Sequence, residues 1–81
     1  MSVRIRYFAA LREATGRDEE LLDLPSEATA ATVRALLAER YPSLAKVLPR
    51  CAVALNRSYV SAGAALHDGD ELAFIPPLGG G

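Results

Sequence analysis

The chain has 81 residues, 51% hydrophobic, 23% charged and 6% aromatic, and nine Lys/Arg nearly cancel ten Asp/Glu to leave a formal charge of -1. A single domain of this size folds with about 4,700 Å² of surface and hides about 60% of its unfolded area, enough for one small core but not for a deep, self-contained active site. The charge balance argues against a binder that neutralises nucleic-acid phosphates, and one cysteine (Cys51) with one histidine (His67) supplies neither a disulfide framework nor a metal cluster.

No apolar run approaches the about 18 residues that suggest a membrane span. Met1–Arg6 alternates charged and apolar residues where a secretory signal would be apolar without interruption. The expectation is a cytoplasmic protein with a free thiol.

Val3, Ile5 and Tyr7 alternate with Arg4, Arg6 and Phe8, a period of two that predicts a half-buried strand with the first three facing the core. Ala9 to Ala14 predicts a short helical turn, ended by Thr15-Gly16-Arg17-Asp18. Glu20 to Leu24 reads as a second strand closed by Pro25, hairpinned to the first through a long connection. Val33, Leu36, Leu37 and Tyr41 then fall on one helical face. Thr32 is placed at the N-cap, with Thr29 as a competing start three residues earlier. Pro42 stops the helix near Arg40, and Ser43 to Leu48 predicts one more helical turn, ended by Pro49.

Cys51 to Leu55 reads as a short strand, Asn56-Arg57 as a turn and Ser58-Tyr59-Val60 as an edge strand. After a loop from Ser61 to Ala65, Asp68-Gly69-Asp70 turns into a last strand, Glu71 to Ile75. There Leu72 and Phe74 point one way and Glu71, Ala73 and Ile75 the other. Pro76 and Pro77 supply no ladder amides and stop the sheet. The order β-β-α-β-β-β is an α+β pattern, a mixed sheet packed on one main helix. The long link through that helix permits parallel first and last strands at the sheet centre, which is the β-grasp (ubiquitin-like) arrangement. The expected division is a domain over 1–75 and a tail over 76–81.

The tail reads Pro76-Pro77-Leu78-Gly79-Gly80-Gly81. Six extended residues reach about 20 Å, and residues without side chains thread narrow channels and approach another backbone closely. A terminal α-carboxylate, once activated as an acyl phosphate, becomes a thioester, an amide or a thiocarboxylate. The alternative is an inert, frayed end. The run of glycines is not a phosphate loop, because the following Lys-Ser/Thr is absent. Phe8, Ile75 and Tyr59 lie opposite the core parity, so an exposed apolar patch beside the tail is expected, as at a partner site. His67, in the loop before Asp68, and Cys51, in an apolar strand, are weak candidates for direct chemistry. Asp68, Gly69 and Asp70 read as turn residues and lack the ligand series of a calcium loop.

The run Leu66-His67-Asp68-Gly69-Asp70-Glu71-Leu72-Ala73-Phe74-Ile75-Pro76-Pro77-Leu78-Gly79-Gly80-Gly81 resembles the C-terminus of the small subunit of molybdopterin synthase. Tyr7-Phe8-Ala9-Ala10-Leu11-Arg12-Glu13 resembles that family's amino end. Thr32-Val33, Leu36 and Ala52-Val53-Ala54-Leu55-Asn56 fit its middle, so the likeness spans the chain.

The resemblance implies a ubiquitin-like sulfur carrier of molybdenum cofactor synthesis. It binds no cofactor or metal itself and does no catalysis alone. An adenylating and sulfurating enzyme activates the Gly81 carboxylate with ATP, and a sulfur donor system converts it to a thiocarboxylate. Pro76, Pro77, Leu78, Gly79 and Gly80 then thread into the large synthase subunit. There the thiocarboxylate attacks a cyclic pyranopterin precursor, and two such transfers build the dithiolene of molybdopterin. The family's apolar partner contacts carry over onto Phe8, Tyr59 and Ile75, and a heterotetramer without nucleic acid or membrane is implied. Ile75 stands where the family often has Phe, Tyr59 where Leu is common and Gly79 where Ser or Thr is frequent. The rivals are a sulfur carrier for thiamine or tRNA thiolation, a ubiquitin-like covalent modifier, and an interaction domain with an inert tail.

Overall fold

The structure is a computed structural model, described here over residues 1–77. Five strands form one sheet: β1 (Ser2–Tyr7), β2 (Glu19–Asp23), β3 (Ala52–Leu55), β4 (Ser58–Val60) and β5 (Glu71–Ile75). A short helix α1 (Ala9–Thr15) follows β1, and the main helix α2 (Ala30–Arg40) follows β2. The strand order is β2-β1-β5-β3-β4. The first and last strands run parallel at the centre, with Ile5 opposite Leu72 and Tyr7 opposite Phe74. The other three pairings are antiparallel. This is the β-grasp fold.

Alternation decides which face is dry. Val3 and Ile5 of β1 and Leu72 and Phe74 of β5 are fully buried, and Tyr7 and Val53 nearly so. They pack beneath Ala30, Val33 and Leu37 of α2, the side predicted from its 3.6-residue spacing, while Leu36 and Tyr41 are partly buried at its margin. The stretches around α2 add Leu44, Leu48 and Leu66 to the same core.

The helix starts at the other threonine. Thr29, not Thr32, is the N-cap: its hydroxyl accepts from the Thr32 amide at 3.4 Å, and the Thr32 hydroxyl accepts from the Thr29 amide at 3.1 Å. This reciprocal pair satisfies two amides that a start at Thr32 would leave outside the helix. The earlier start also buries Ala30 completely and lets the Ala30 and Ala31 amides donate to the Ala64 and Ala62 carbonyls at 3.2 and 2.8 Å. The loop after β4 thus supplies acceptors to the helix's first turn.

After α2 the expected single turn over Ser43–Leu48 is two 3-10 turns, Pro42–Leu44 and Leu48–Arg50. Pro49 lies inside the second rather than ending the first. A proline is tolerated in a first turn, where its missing amide would have no helical partner. The remaining boundaries shift by one residue: α1 includes Thr15 and ends on Gly16 at φ 73, β2 begins at Glu19, and Cys51 precedes β3. Leu24 stays tied to β1, since its amide donates to the Met1 carbonyl at 2.7 Å.

Candidate functional site

Among the described residues the face of the sheet turned away from α2 carries no helix. Cross-strand register lays one row across it: Tyr59 opposite Ala54, Ala54 opposite Ala73, Ala73 opposite Arg6, and Arg6 opposite Glu19. A second row sets Ala52 opposite Ile75. Two adjacent alanines among longer side chains leave a trough. The result is an open groove of about 350 Å³, with Ala54 and Ala73 in its lining and Phe8 and Ile75 among its walls.

Three expected contact residues therefore share this face. Phe8 and Ile75 line the groove together, and Phe8 is 40% exposed. Tyr59 is 75% exposed and stands beside the groove, across from Ala54, without lining it. Phe8 lies just past the end of β1, at the N-cap of α1, and Ala9 then turns the chain at φ 49. Arg6 covers one side of the Phe8 ring, its guanidinium carbon 5.5 Å from the ring centre. Pro76 and Pro77 follow Ile75 directly, outside the strand ladder. Leu78, Gly79, Gly80 and Gly81, which carry the expected tail chemistry, lie outside the described residues.

Sequence reasoning missed the polar part of the groove: Arg6, Glu71 and Arg57. Arg6 and Glu71 form an ion pair at 3.7 Å. The parity of β1 and β5 already turned both outward. Arg57 was legible only as a turn residue, and its place beside β5 depends on β3 pairing with β5, which no local pattern announces.

The weak candidates for chemistry have structural roles. The Cys51 thiol is buried, donates to the Val47 carbonyl at 3.3 Å and is pushed up in pKa by burial. The His67 side chain is exposed, with Nδ1 3.8 Å from Asp70. The Asp-Gly-Asp turn is a clasp. Asp68 accepts from the Ser2 amide at 2.6 Å, and the Gly69 amide donates to the Ser2 carbonyl at 2.7 Å. Asp70 accepts from the Asn56 side chain at 3.0 Å and from the His67 amide at 2.7 Å. The Asn56 bond first, and then the His67 amide, hold the Asp70 carboxyl below its ordinary pKa. The clasp sets where β5 begins, and so where its outward residues stand.

The Chlamydomonas reinhardtii molybdopterin synthase sulfur carrier subunit is 40% identical over 83 residues, covering all of both chains. The complex of subunits 1 and 2 of the molybdopterin-converting factor from Helicobacter pylori contains a chain of the same shape, with TM-score 0.72, 27% identity and full coverage of both chains. The small archaeal modifier protein 1 of Haloferax volcanii superposes with TM-score 0.83 at 27% identity, covering 95% of this chain and 98% of that one. Among the described residues no helix is long and apolar enough to cross a membrane. The ThiS family matches residues 5–81, from the middle of β1 through the terminal glycines, and the chain belongs to that family.

Proposed function

We propose that the chain is the sulfur carrier subunit of molybdopterin synthase. The observation that carries the reading is the apolar groove of Phe8, Ala54, Ala73 and Ile75, open on the uncovered face at the end of β5 that leads to Pro76-Pro77 and the glycines. Such a face docks a partner, and the residues after it deliver a reactive group to that partner. The naming of the algal relative and the paired subunits of the H. pylori complex support the same reading.

On this reading Gly81 is the working group. A carboxylate is a poor electrophile. An activating enzyme converts it with ATP to an acyl adenylate, releasing pyrophosphate; a sulfur donor then displaces AMP and leaves a thiocarboxylate. The sulfur is now nucleophilic, much as a thiolate is, and attacks the pyranopterin precursor in the large subunit's active site to form a thioester; water then cleaves the acyl–sulfur bond, leaving the sulfur on the precursor and returning the Gly81 carboxylate. Acid, base and oxyanion groups come from that subunit, in keeping with a domain too small to enclose them. Pro76, Pro77, Leu78, Gly79 and Gly80 are the residues assigned to threading, and Phe8, Tyr59 and Ile75 those assigned to docking. The cytoplasm, where the activating and synthase enzymes would meet it, is the assigned compartment.

The test is intact mass after incubation with the activating enzyme, ATP and a sulfur donor. The expected gain is that of sulfur replacing one oxygen. Deleting Gly81 is expected to leave folding unchanged and abolish sulfur transfer; normal molybdopterin formation by the deletion variant would sink the assignment. The likeness to an archaeal modifier protein favours a second reading, conjugation of the same carboxyl group to lysines. Isopeptide-linked adducts in cell extract, with no thiocarboxylate mass, would select it.

A further inference from the structure

Among the described residues the charges on the open face are balanced with one exception. Arg4 meets Glu19 at 3.2 Å, Arg6 meets Glu71 at 3.7 Å, and Asp23 meets the amino terminus at 3.6 Å. Arg57 lines the groove, is exposed, and has no ion-pair or hydrogen-bond partner among the described residues. Beside it, Arg6 is only partly satisfied. One terminal nitrogen faces Glu71 and the guanidinium carbon lies over the Phe8 ring, while its Nε is buried and turned from any acceptor. Among the described residues the groove therefore joins an apolar floor to one uncompensated positive charge, that of Arg57.

The backbone sharpens the point. Asn56 and Arg57 join β3 to β4 with φ of 49 and 70. A two-residue hairpin turn of this kind favours glycine at its second position, because a Cβ there is crowded. Arginine is an unfavourable choice for the hairpin, yet it brings a long cationic side chain to the groove.

We propose that Arg57 is a specificity residue for the docking partner, and that the groove receives a partner protein segment carrying a carboxylate next to an apolar side chain. The carboxylate meets Arg57 at the rim, and the apolar side chain covers Ala54 and Ala73 between Phe8 and Ile75. A small anion would answer the charge and leave the floor wet; a purely apolar segment would cover the floor and bury Arg57 unpaired, at a desolvation cost. Only a segment with both groups satisfies the whole groove. The inference rests on the docking face assigned above.

The experiment measures affinity and association rate of the full chain for the cognate large synthase subunit at low and high salt. Arg57→Glu is expected to weaken binding by about tenfold or more, with much of the loss in association rate at low salt. Arg57→Gly is expected to weaken binding while raising the thermal midpoint, which separates docking from folding. Reversing one acidic residue of the large subunit to lysine is expected to restore binding to Arg57→Glu. Wild-type affinity in Arg57→Glu, with Phe8→Asp weakened, overturns the carboxylate inference and leaves the docking face standing. Unchanged affinity in both overturns the docking face as well. A loss in Arg57→Glu that no reversal among the large subunit's acidic residues restores also overturns the inference.

Discussion

Two polar clusters stand on this small domain, and they differ in how completely they are satisfied. One surrounds Glu20 of β2. Its Oε1 accepts from the Tyr7 hydroxyl at 2.5 Å and the Tyr41 hydroxyl at 3.0 Å. Its Oε2 lies 3.6 Å from Arg17 and 3.5 Å from Arg40, and the side chain is 8% exposed. One carboxylate is answered by two hydroxyls and two guanidiniums drawn from β1, β2 and its lead-in, and the end of α2. The other cluster is the groove, where Arg57 is answered by nothing among the described residues. The first has no bonding capacity to spare and serves the fold. The second keeps capacity open, which is what a docking surface needs.

The difference extends to the aromatic residues of the two faces, and the largest expected effect breaks it there. Phe74 is fully buried between sheet and α2, whereas Phe8 is 40% exposed on the open face. Phe74→Ala should cost about 3–5 kcal/mol, through lost transfer energy and the cavity left behind. Phe8→Ala should cost under about 1 kcal/mol of stability and yet weaken large-subunit binding. Chemical denaturation of both variants, with affinity for Phe8→Ala, checks the pair. Equal destabilisation would mean that Phe8 belongs to the core and the open face is not separable from it.

The next effect tests the saturated cluster. Glu20→Ala removes the acceptor shared by two tyrosine hydroxyls, while the half-exposed Arg17 and Arg40 turn to water, so it should cost about 2 kcal/mol. Affinity for the large subunit, measured where the variant is still folded, should stay at the wild-type value. The same substitution should bring the Tyr7 hydroxyl down towards ordinary phenol behaviour. Burial pushes it up first, and then the hydrogen bond to Glu20 and that carboxylate's charge. Ultraviolet pH titration reads this; an unchanged tyrosine titration would show that burial alone sets it.

These clusters also mark how far the sequence could be read. Alternation gave the buried faces of β1 and β5 correctly, because a period of two needs only neighbours along the chain. Asn56-Arg57 and Asp68-Gly69-Asp70 were legible as turns for the same reason. The helix start was not, because Thr29 and Thr32 both suit a cap and the reciprocal Thr-Thr box lacks the usual glutamate at its third position. The two 3-10 turns were merged because each proline was read as a stop. The Glu20 cluster and the polar lining of the groove were both missed. Tyr7, Glu20 and Tyr41 belong to different elements, as do Arg6, Ala54, Arg57 and Ala73, and only the strand order brings either set together. Of the residues assigned to docking, Phe8, Tyr59 and Ile75 were visible by parity and resemblance, whereas Arg57 needed the fold.

The smallest effect concerns the clasp that sets β5, and it is read through pH. Asp70 accepts from Asn56 and the His67 amide, so its folded carboxyl titrates below its ordinary value. The unfolded chain therefore binds more protons than the folded chain between those two values. The clasp's ionic contribution is complete above the ordinary carboxylate range of about pH 4 and is lost as pH falls from there through the folded value. Asp70→Asn keeps one acceptor but no charge, and should cost about 1 kcal/mol near neutrality. The stability gap between wild type and Asp70→Asn should then hold from neutrality down to about pH 5 and narrow below about pH 4. Denaturation curves across that range measure it. A gap that stays constant to the lowest pH at which both fold would assign the clasp to geometry alone. The charge on Asp70 would then play no part in placing Glu71, Ala73 and Ile75 on the open face.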